Sequence, residues 1–313
     1  MSKLYVIAGP TASGKTAVAI ELAKLTNGEV ISADSMQIYK GMDIGTAKPN
    51  CKEMQNIPHH MLNIISPHEP FSAAEYQQQA VKIIDDIIAR KKTPVLAGGT
   101  GFYINAVIYG TEFPHFSQET HETETVLRKK YAALAQEKGA DFLHEILKTI
   151  DAESSKTIHP NNVKRVARAI SFCEATGELF SAHNSREKLK REYNYDTVFC
   201  AISLSRETLY NRINSRVVDM WNAGLPEEVR NLLSQGYHLG LTAMQGIGYK
   251  ETIKFLNSEM TEAETIATIQ QATRNYAKRQ ETWFRNQSPD ARRLLAEGKT
   301  PQELAREIVD FSR

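Results

Sequence analysis

The segment Gly9-Pro10-Thr11-Ala12-Ser13-Gly14-Lys15-Thr16 fits the phosphate-loop pattern G-x-x-x-x-G-K-[ST], and it constrains the chain more than any other stretch. The apolar run Leu4-Tyr5-Val6-Ile7-Ala8 before it reads as a buried parallel strand. Thr16 to Leu25 after it reads as a helix, with Val18, Ala19, Leu22 and Leu25 on one side. Strand, glycine-rich turn and helix in that order let backbone N–H groups surround phosphate oxygens at a helix N-terminus. Lys15 adds a point charge, and the Thr16 hydroxyl can hold Mg2+. The alternative is a chance match in a loop, against which the flanking strand and helix argue. The pattern specifies a polyphosphate or diphosphate with a metal, without saying which one.

A chain of 313 residues could form one large domain or two modest ones, and 41% hydrophobic content supplies a sizeable core. The net charge of +1 gives no global pull towards nucleic acid, so local clusters must carry that case. Cys51, Cys173 and Cys200 lie far apart without C-x-x-C spacing, which suggests a reducing compartment and neither zinc nor disulfides. No apolar run approaches ~18 residues, so no membrane span is expected. The N-terminus enters a strand directly, without a signal-peptide pattern, and a cytoplasmic protein is expected.

Glu29 to Ala33 reads as a second strand, followed by Asp34-Ser35-Met36-Gln37-Ile38-Tyr39. Ligands of open parallel sheets sit at the carboxyl ends of the strands, so Asp34 falls on the same edge as the phosphate loop. Asp34 is a base, a Mg2+ ligand through water, or a helix N-cap. Gly41 to Pro49 reads as an irregular loop over the site. The adjacent His59 and His60 would point to opposite faces of a strand, which argues against a metal site. Ser72 and Glu75 form a capping box for a helix running to about Arg90. Pro94 to Gly101 reads as a third strand and its exit turn, where Gly98, Gly99 and Gly101 permit close approach and Thr100 projects into the crevice. A turn needed only for packing is the alternative.

From about His115 the character changes. Residues 115–191 read as helices, over Thr123–Glu137 (apolar stripe Val126, Leu127, Tyr131, Leu134), Asp141–Ile150 and Asn162–Thr176. Between Ser155 and Arg191, Lys156, Lys164, Arg165, Arg168, Arg186, Lys188, Lys190 and Arg191 face only Glu174, Glu178 and Glu187. Arg165 and Arg168 share a helix face. Such a basic insertion in a near-neutral chain suggests a nucleic acid backbone, with a solvated helical face as the alternative.

Thr197 to Leu204 resumes the sheet, and Arg206 to Met220 is a helix on which Arg212 and Arg216 share a face. Near the phosphate loop that pair would hold diphosphate oxygens; otherwise it would pair with Glu207 and Asp219. Thr242 to Glu251 is broken by glycines and presents Gln245, Tyr249 and Lys250 as exposed-looking. A long helix over Thr261–Arg285 interleaves Arg274, Lys278, Arg279 and Arg285 with Tyr276, Trp283 and Phe284, which suits either nucleic acid binding or a core stripe with a solvated back. A last strand (Arg292–Ala296) and a closing helix (Pro301–Phe311, with Leu304, Ile308 and Phe311 inward) complete an α/β P-loop fold: a three-layer core with a mainly parallel sheet over residues 1–114 and 192–313, plus an all-α insertion over 115–191.

Taken in order, the phosphate loop, Asp34-Ser35-Met36-Gln37-Ile38-Tyr39, Gly45-Thr46-Ala47-Lys48-Pro49, Gly98-Gly99-Thr100-Gly101-Phe102-Tyr103, Asn161 to Arg168, Gly246-Ile247-Gly248-Tyr249-Lys250 and Arg274 to Trp283 resemble the tRNA dimethylallyltransferase, or tRNA isopentenyltransferase, family along nearly the whole chain. The resemblance implies transfer of the dimethylallyl group of dimethylallyl diphosphate to the exocyclic amine of an adenosine. That adenosine lies immediately 3′ of the anticodon in tRNAs reading codons that begin with U. The phosphate loop then holds a prenyl diphosphate rather than ATP. Lys15, Mg2+ on Thr16, and Arg212 and Arg216 stabilise the leaving diphosphate. Asp34 is the candidate base, with Lys15 and Thr100 as its catalytic companions. Asp34, Ser35, Met36, Gln37, Thr100 and Gly101 hold the extruded adenine and its neighbours. Thr123, Lys164, Arg165, Arg168, Gln245, Lys250, Arg274, Lys278 and Arg279 grip the anticodon stem-loop. The partners are tRNA and dimethylallyl diphosphate, with no membrane, and the expected state is a monomer.

Two other readings use the same loop: a nucleotide or small-molecule kinase with Asp34 as base on a hydroxyl, and a non-catalytic RNA-binding NTPase switch. The absence of an apolar strand ending in a second Asp counts against both.

Overall fold

The computed structural model describes residues 3–113, 118–189 and 192–312. In chain order the elements are β1 (Leu4–Ala8), α1 (Lys15–Thr26), β2 (Gly28–Ser32), α2 (Cys51–Met54), β3 (His59–His60), α3 (Ala73–Ala89), β4 (Thr93–Gly98) and α4 (Gly101–Ile108). Five helices come next: α5 (Gln118–Lys138), α6 (Ala140–Ile150), α7 (Ala152–Thr157), α8 (Val163–Thr176) and α9 (Phe180–Leu189). The chain ends with β5 (Thr197–Ser203), α10 (Arg206–Asn222), α11 (Leu225–Ser234), α12 (Tyr249–Leu256), α13 (Glu262–Gln287), β6 (Arg292–Leu295) and α14 (Pro301–Phe311).

The strands form one sheet in the order β3-β2-β4-β1-β5-β6, and every neighbouring pair is parallel. All carboxyl ends therefore share an edge. The registers Ser32↔Ala97, Ala8↔Gly98 and Ala8↔Ala201 bring β2, β4, β1 and β5 to that edge nearly flush. The strand exits, carrying Asp34, Thr100, the phosphate loop and Ser205, are thereby gathered together.

Side chains alternate across the sheet and define its two cores. Tyr5, Ile7, Val30, Val95, Cys200 and Ile202 face α1, α10 and α14, which contribute Val18, Leu22, Leu209, Ile213, Leu304 and Ile308. Leu4, Val6, Ile31, Leu96 and Phe199 face α3, α4 and Phe284 of α13. This is the three-layer α/β core expected from the strand–helix alternation. The predicted capping box is formed: Ser72 Oγ accepts from Glu75 N at 3.2 Å, and Glu75 Oε2 accepts from Ser72 N at 2.7 Å.

The chain divides into two compact units, Met1–Gly110 with Tyr193–Arg313, and Thr111–Glu192. The second is all-helical among its described residues and has its own core of Tyr131, Leu143, Leu147, Val166, Ile170, Phe172 and Phe180. His115, Lys190 and Arg191 lie outside the described residues.

Two expected core positions are corrected. Val126 is 65% exposed, because the buried stripe of α5 runs Leu127, Tyr131, Leu134, Ala135 and leaves its neighbour Val126 about 100° away. Leu25 is 51% exposed, since it stands in the last turn of α1, beyond the packed stretch that ends at Ala23. The adjacent histidines go to separate partners: His59 Nδ1 to the Ile57 carbonyl and His60 Nε2 to Glu29 Oε2, both at 2.8 Å.

Candidate active site

The phosphate loop leaves β1 and enters α1 through Gly14, whose φ of 90° is strained for any residue with a Cβ. Among the described residues no side chain caps α1, so the first-turn N–H groups are left for a ligand. The Pro10 carbonyl accepts from Ser13 N and from Lys15 Nζ, each at 3.3 Å. Thr11 N donates to Gln280 Oε1 at 2.9 Å. Ala12 is buried with φ 63°, and a Cβ on Gly9 would stand 2.9 Å from Ser13 Oγ. Ser13 Oγ is itself buried without a partner among the described residues.

The loop is short of negative charge. Desolvation lowers the Lys15 pKa from 10.5 to about 8; Asp34 pulls it back up, and Arg216 pushes it further down. A Cβ placed on Gly14 would lie 3.7 Å from Arg212 Nη1. Arg212 therefore reaches the loop, and Arg216, one turn on along α10, acts on it electrostatically through Lys15. Neither pairs with a carboxylate within 4.0 Å among the described residues, so the alternative partners Glu207 and Asp219 are not used as ion pairs. An ammonium and two guanidinium groups around an uncapped helix start make a site for a multiply charged anion.

On the neighbouring strand ends stand Asp34 and Thr100. Asp34 is no helix cap. Its Oδ1 accepts from Met36 N at 2.9 Å, two residues on, in a turn. Thr100 Oγ1 accepts from Ser35 N at 3.0 Å and donates to Ser35 Oγ at 3.3 Å, joining the β2 and β4 exits. Burial and then Asp34 raise the pKa of Tyr276, with Arg279, Thr100 and Gln280 opposing the shift. Tyr103 is pushed up to about 12, by burial first, with Tyr39 and Asp34 adding to it. These phenols stay protonated beside Asp34 at neutral pH.

Gln37 is occupied within the protein: Oε1 accepts from Ser32 Oγ at 3.0 Å, and Nε2 donates to the Thr46 and Ala47 carbonyls at 3.3 Å. Met36 lies beside Gly246, where an added Cβ would stand 2.6 Å from Met36 Cε. Gly101 is buried, and a Cβ there would overlap the Trp283 ring. Tyr249, expected to be exposed, is 0% exposed, because its ring packs on Gly45 and its hydroxyl donates to Glu228. Gln245 is exposed and donates to the Leu239 carbonyl; Lys250 is half-buried, 3.8 Å from Glu251.

On α13, Arg274 is bound to Asn214 Oδ1 at 2.5 Å and Gln271 Oε1 at 2.7 Å, whereas Lys278 and Arg279 are more open to solvent. The interleaved aromatics divide: Phe284 is core, Trp283 packs against it, and Tyr276 lies under the Arg279 guanidinium at 5.6 Å. In the helical unit Thr123, Lys164, Arg165 and Arg168 are all exposed, and the three cations form no ion pair among the described residues.

A family model described as IPP transferase matches residues 37–287. The chain belongs to the IPP transferase family. A curated relative named tRNA dimethylallyltransferase, from Caldanaerobacter subterraneus subsp. tengcongensis, is 43% identical over 99% of this chain and 97% of its own. Another of that name, from Acetivibrio thermocellus, is 48% identical over 91% of this chain and 89% of its own. A crystal structure of tRNA delta(2)-isopentenylpyrophosphate transferase from Staphylococcus epidermidis matches with TM-score 0.71 and 43% identity, over 99% of this chain and 98% of that one. A eukaryotic dimethylallyltransferase acting on tRNA matches with TM-score 0.77 and 28% identity, over 95% and 75%. The family is one of prenyltransferases, and the kinase and switch readings are not favoured. In this chain β4 and β5, which flank β1, run out into Gly99-Thr100 and Leu204-Ser205, without a second carboxylate.

The residues present suit Mg2+. No group of three His, Cys, Asp or Glu among the described residues could hold a metal alone. The Thr16 hydroxyl, which has no protein partner among those residues, would join diphosphate oxygens and water in the mixed oxygen shell that Mg2+ favours.

Reading the sequence missed Gln280 and Glu228. Gln280 lies in register with Ala277 and Phe284 on the apolar side of α13, and that placement was its available signal. Nothing in the spacing of Glu228 distinguishes it from the acids around it.

Proposed function

We propose that this protein transfers the dimethylallyl group of dimethylallyl diphosphate to the exocyclic amine of the adenosine 3′ of the anticodon, in tRNAs reading codons that begin with U. The observation that carries the reading is the pairing, on one sheet edge, of an electron-poor phosphate loop after β1 with Asp34 and Thr100 after β2 and β4.

The loop N–H groups, Lys15, Arg212 and Arg216 would bind the diphosphate and take up the charge that grows on it as the C–O bond to the prenyl carbon breaks. Bound Mg2+ on Thr16 would supply further stabilisation of the leaving group. The adenine amine forms the new C–N bond, and Asp34 accepts the proton that the nitrogen sheds. Ser35 and Thr100, already bonded to each other, would orient the amine against Asp34. The adenine must leave its stack to arrive there, at a cost of a few kcal/mol.

Lys278, Arg279 and Lys250 of the core, and separately Thr123, Lys164, Arg165 and Arg168 of the helical unit, would contact the anticodon stem-loop, largely through phosphates. Gln245 and Arg274 would add to that surface, with Met36, Gln37 and Gly101 shaping the adenine pocket. We place the monomeric protein in the cytoplasm; among the described residues no helix is long and apolar enough to cross a membrane, and all three cysteines are free.

The reading is tested by incubating the protein with dimethylallyl diphosphate, Mg2+ and an unmodified stem-loop, then digesting the RNA and weighing its nucleosides. A single adenosine heavier by one dimethylallyl group, absent when guanosine replaces that adenosine, is expected. Unaltered nucleosides would overturn the reading.

A further inference from the structure

Two glycine-containing segments, Gly45-Thr46-Ala47-Lys48 and Gly246-Ile247-Gly248-Tyr249, have no part in the chemistry just described, yet both meet at one carboxylate. Glu228, on α11, accepts four hydrogen bonds. Oε2 takes the backbone N–H groups of Asp43 at 2.9 Å and Ile44 at 2.7 Å; Oε1 takes Gly45 N at 3.1 Å and the Tyr249 hydroxyl at 2.7 Å. Two donors on each oxygen fill the capacity of an ionised carboxylate. The Tyr249 ring packs so closely on Gly45 that a Cβ there would overlap it.

The loop held in this way continues to the site. Its Thr46 and Ala47 carbonyls receive the Gln37 amide, whose oxygen takes Ser32 Oγ. Lys48 Nζ closes the other side, donating to the Tyr39 carbonyl at 2.7 Å and to Asp43 Oδ1 and Asn63 Oδ1 at 2.6 Å. The segment from Asp34 to Gln37 is thus pinned at its far end by a loop whose own conformation is set from Glu228. The phosphate loop shares none of these bonds.

We propose that Glu228, with Tyr249, is a positioning residue for the RNA-acceptor side of the site: through the loop at Asp43–Gly45 and then Gln37 it holds the Asp34 segment in the geometry that receives the adenine. The proposal rests on the transferase reading. It separates the two substrates, since disturbing Glu228 should alter use of the RNA and spare the diphosphate.

The test compares wild type, Glu228→Gln and Tyr249→Phe. Glu228→Gln keeps the shape but turns two of the four acceptor positions into a donor facing donors. In it, kcat/KM for the stem-loop should fall about tenfold or more, and in Tyr249→Phe about threefold to tenfold. The Kd for inorganic diphosphate should stay within about twofold of wild type in both. Hydrogen exchange of the Ile44 and Gly45 amides should quicken in Glu228→Gln. Unchanged stem-loop kinetics with wild-type exchange, or parallel losses of diphosphate and RNA binding in both variants, would overturn the proposal. A wild-type protein without prenyl transfer would instead remove the transferase reading. The exchange measurement would then still decide whether Glu228 holds the loop. Should Glu228→Gln fail to fold, Tyr249→Phe carries the same comparison.

Discussion

Gln280 Oε1 accepts the Thr11 N–H at 2.9 Å, so a residue 269 positions downstream fixes the phosphate loop. The same amide donates through Nε2 to the Gly99 carbonyl at 2.9 Å, which ties the phosphate loop to the Thr100 turn. Gln280→Leu keeps the volume and removes both bonds. Leaving the Thr11 N–H without its acceptor should cost about 1–3 kcal/mol, seen as a lower urea midpoint, and prenyl-diphosphate binding should weaken. Wild-type stability and affinity would show that the loop holds itself.

If Lys15 binds the diphosphate as proposed, that binding should be pH-dependent. Its pKa of about 8 is depressed chiefly by desolvation, and an anion beside it favours the charged form. Binding therefore takes up a proton once the pH exceeds about 8, and affinity falls as the pH rises from there. For folding, the unfolded chain keeps this proton up to 10.5, so the unfavourable contribution of Lys15 is fully present below about 8 and is relieved across that window. Calorimetry with inorganic diphosphate at about pH 7 and about pH 9.5 should show a wild-type advantage over Lys15→Met that shrinks at the higher pH. A constant advantage would contradict the assignment.

Asp34→Asn separates chemistry from architecture. The Asn oxygen can still accept the Met36 N–H that Asp34 Oδ1 accepts at 2.9 Å, so the turn survives while the proposed base is lost. Turnover should drop roughly 10²–10⁴-fold with stem-loop affinity nearly unchanged. Near-wild-type turnover would remove Asp34 as the base.

Arg165 and Arg168 form no ion pair among the described residues. Replacing both with Ala should weaken tRNA binding and reduce its dependence on log salt by roughly 0.7–0.9 for each phosphate no longer neutralised. A salt titration identical to wild type would leave them as a solvated face.

Much of the fold is legible because its signals are local. β1, the phosphate loop and α1 lie next to one another in the chain, the Ser72–Glu75 capping box marks α3, and the 3.6-residue periodicity marks α6 and α8. The failures arise where tertiary packing decides. Val126 and Leu127 are equally apolar in sequence, and only the helices packed on α5 choose between them. Tyr249 lies between Gly248 and Lys250 in a glycine-broken stretch, yet Glu228 and Gly45 draw it fully inside. Helix α11 carries Pro226 and two acids, Glu227 and Glu228, in its first turn, faint signals beside the longer elements around it. For the site, Asp34, Thr100 and the loop could be read because parallel strands deliver their exits to one edge. Gln280 and Glu228 act across long stretches of chain, and no spacing rule links them to Thr11 or Gly45.

The central claim is that the phosphate loop serves a prenyl diphosphate and that tRNA is the acceptor. The most direct measurement incubates the protein and Mg2+ with labelled dimethylallyl diphosphate and an unmodified stem-loop carrying adenosine 3′ of the anticodon, beside a parallel tube with labelled ATP. Label from the prenyl donor in the RNA, with none transferred from ATP, is the predicted result. No prenyl transfer, together with ATP hydrolysis or phosphoryl transfer, would contradict it.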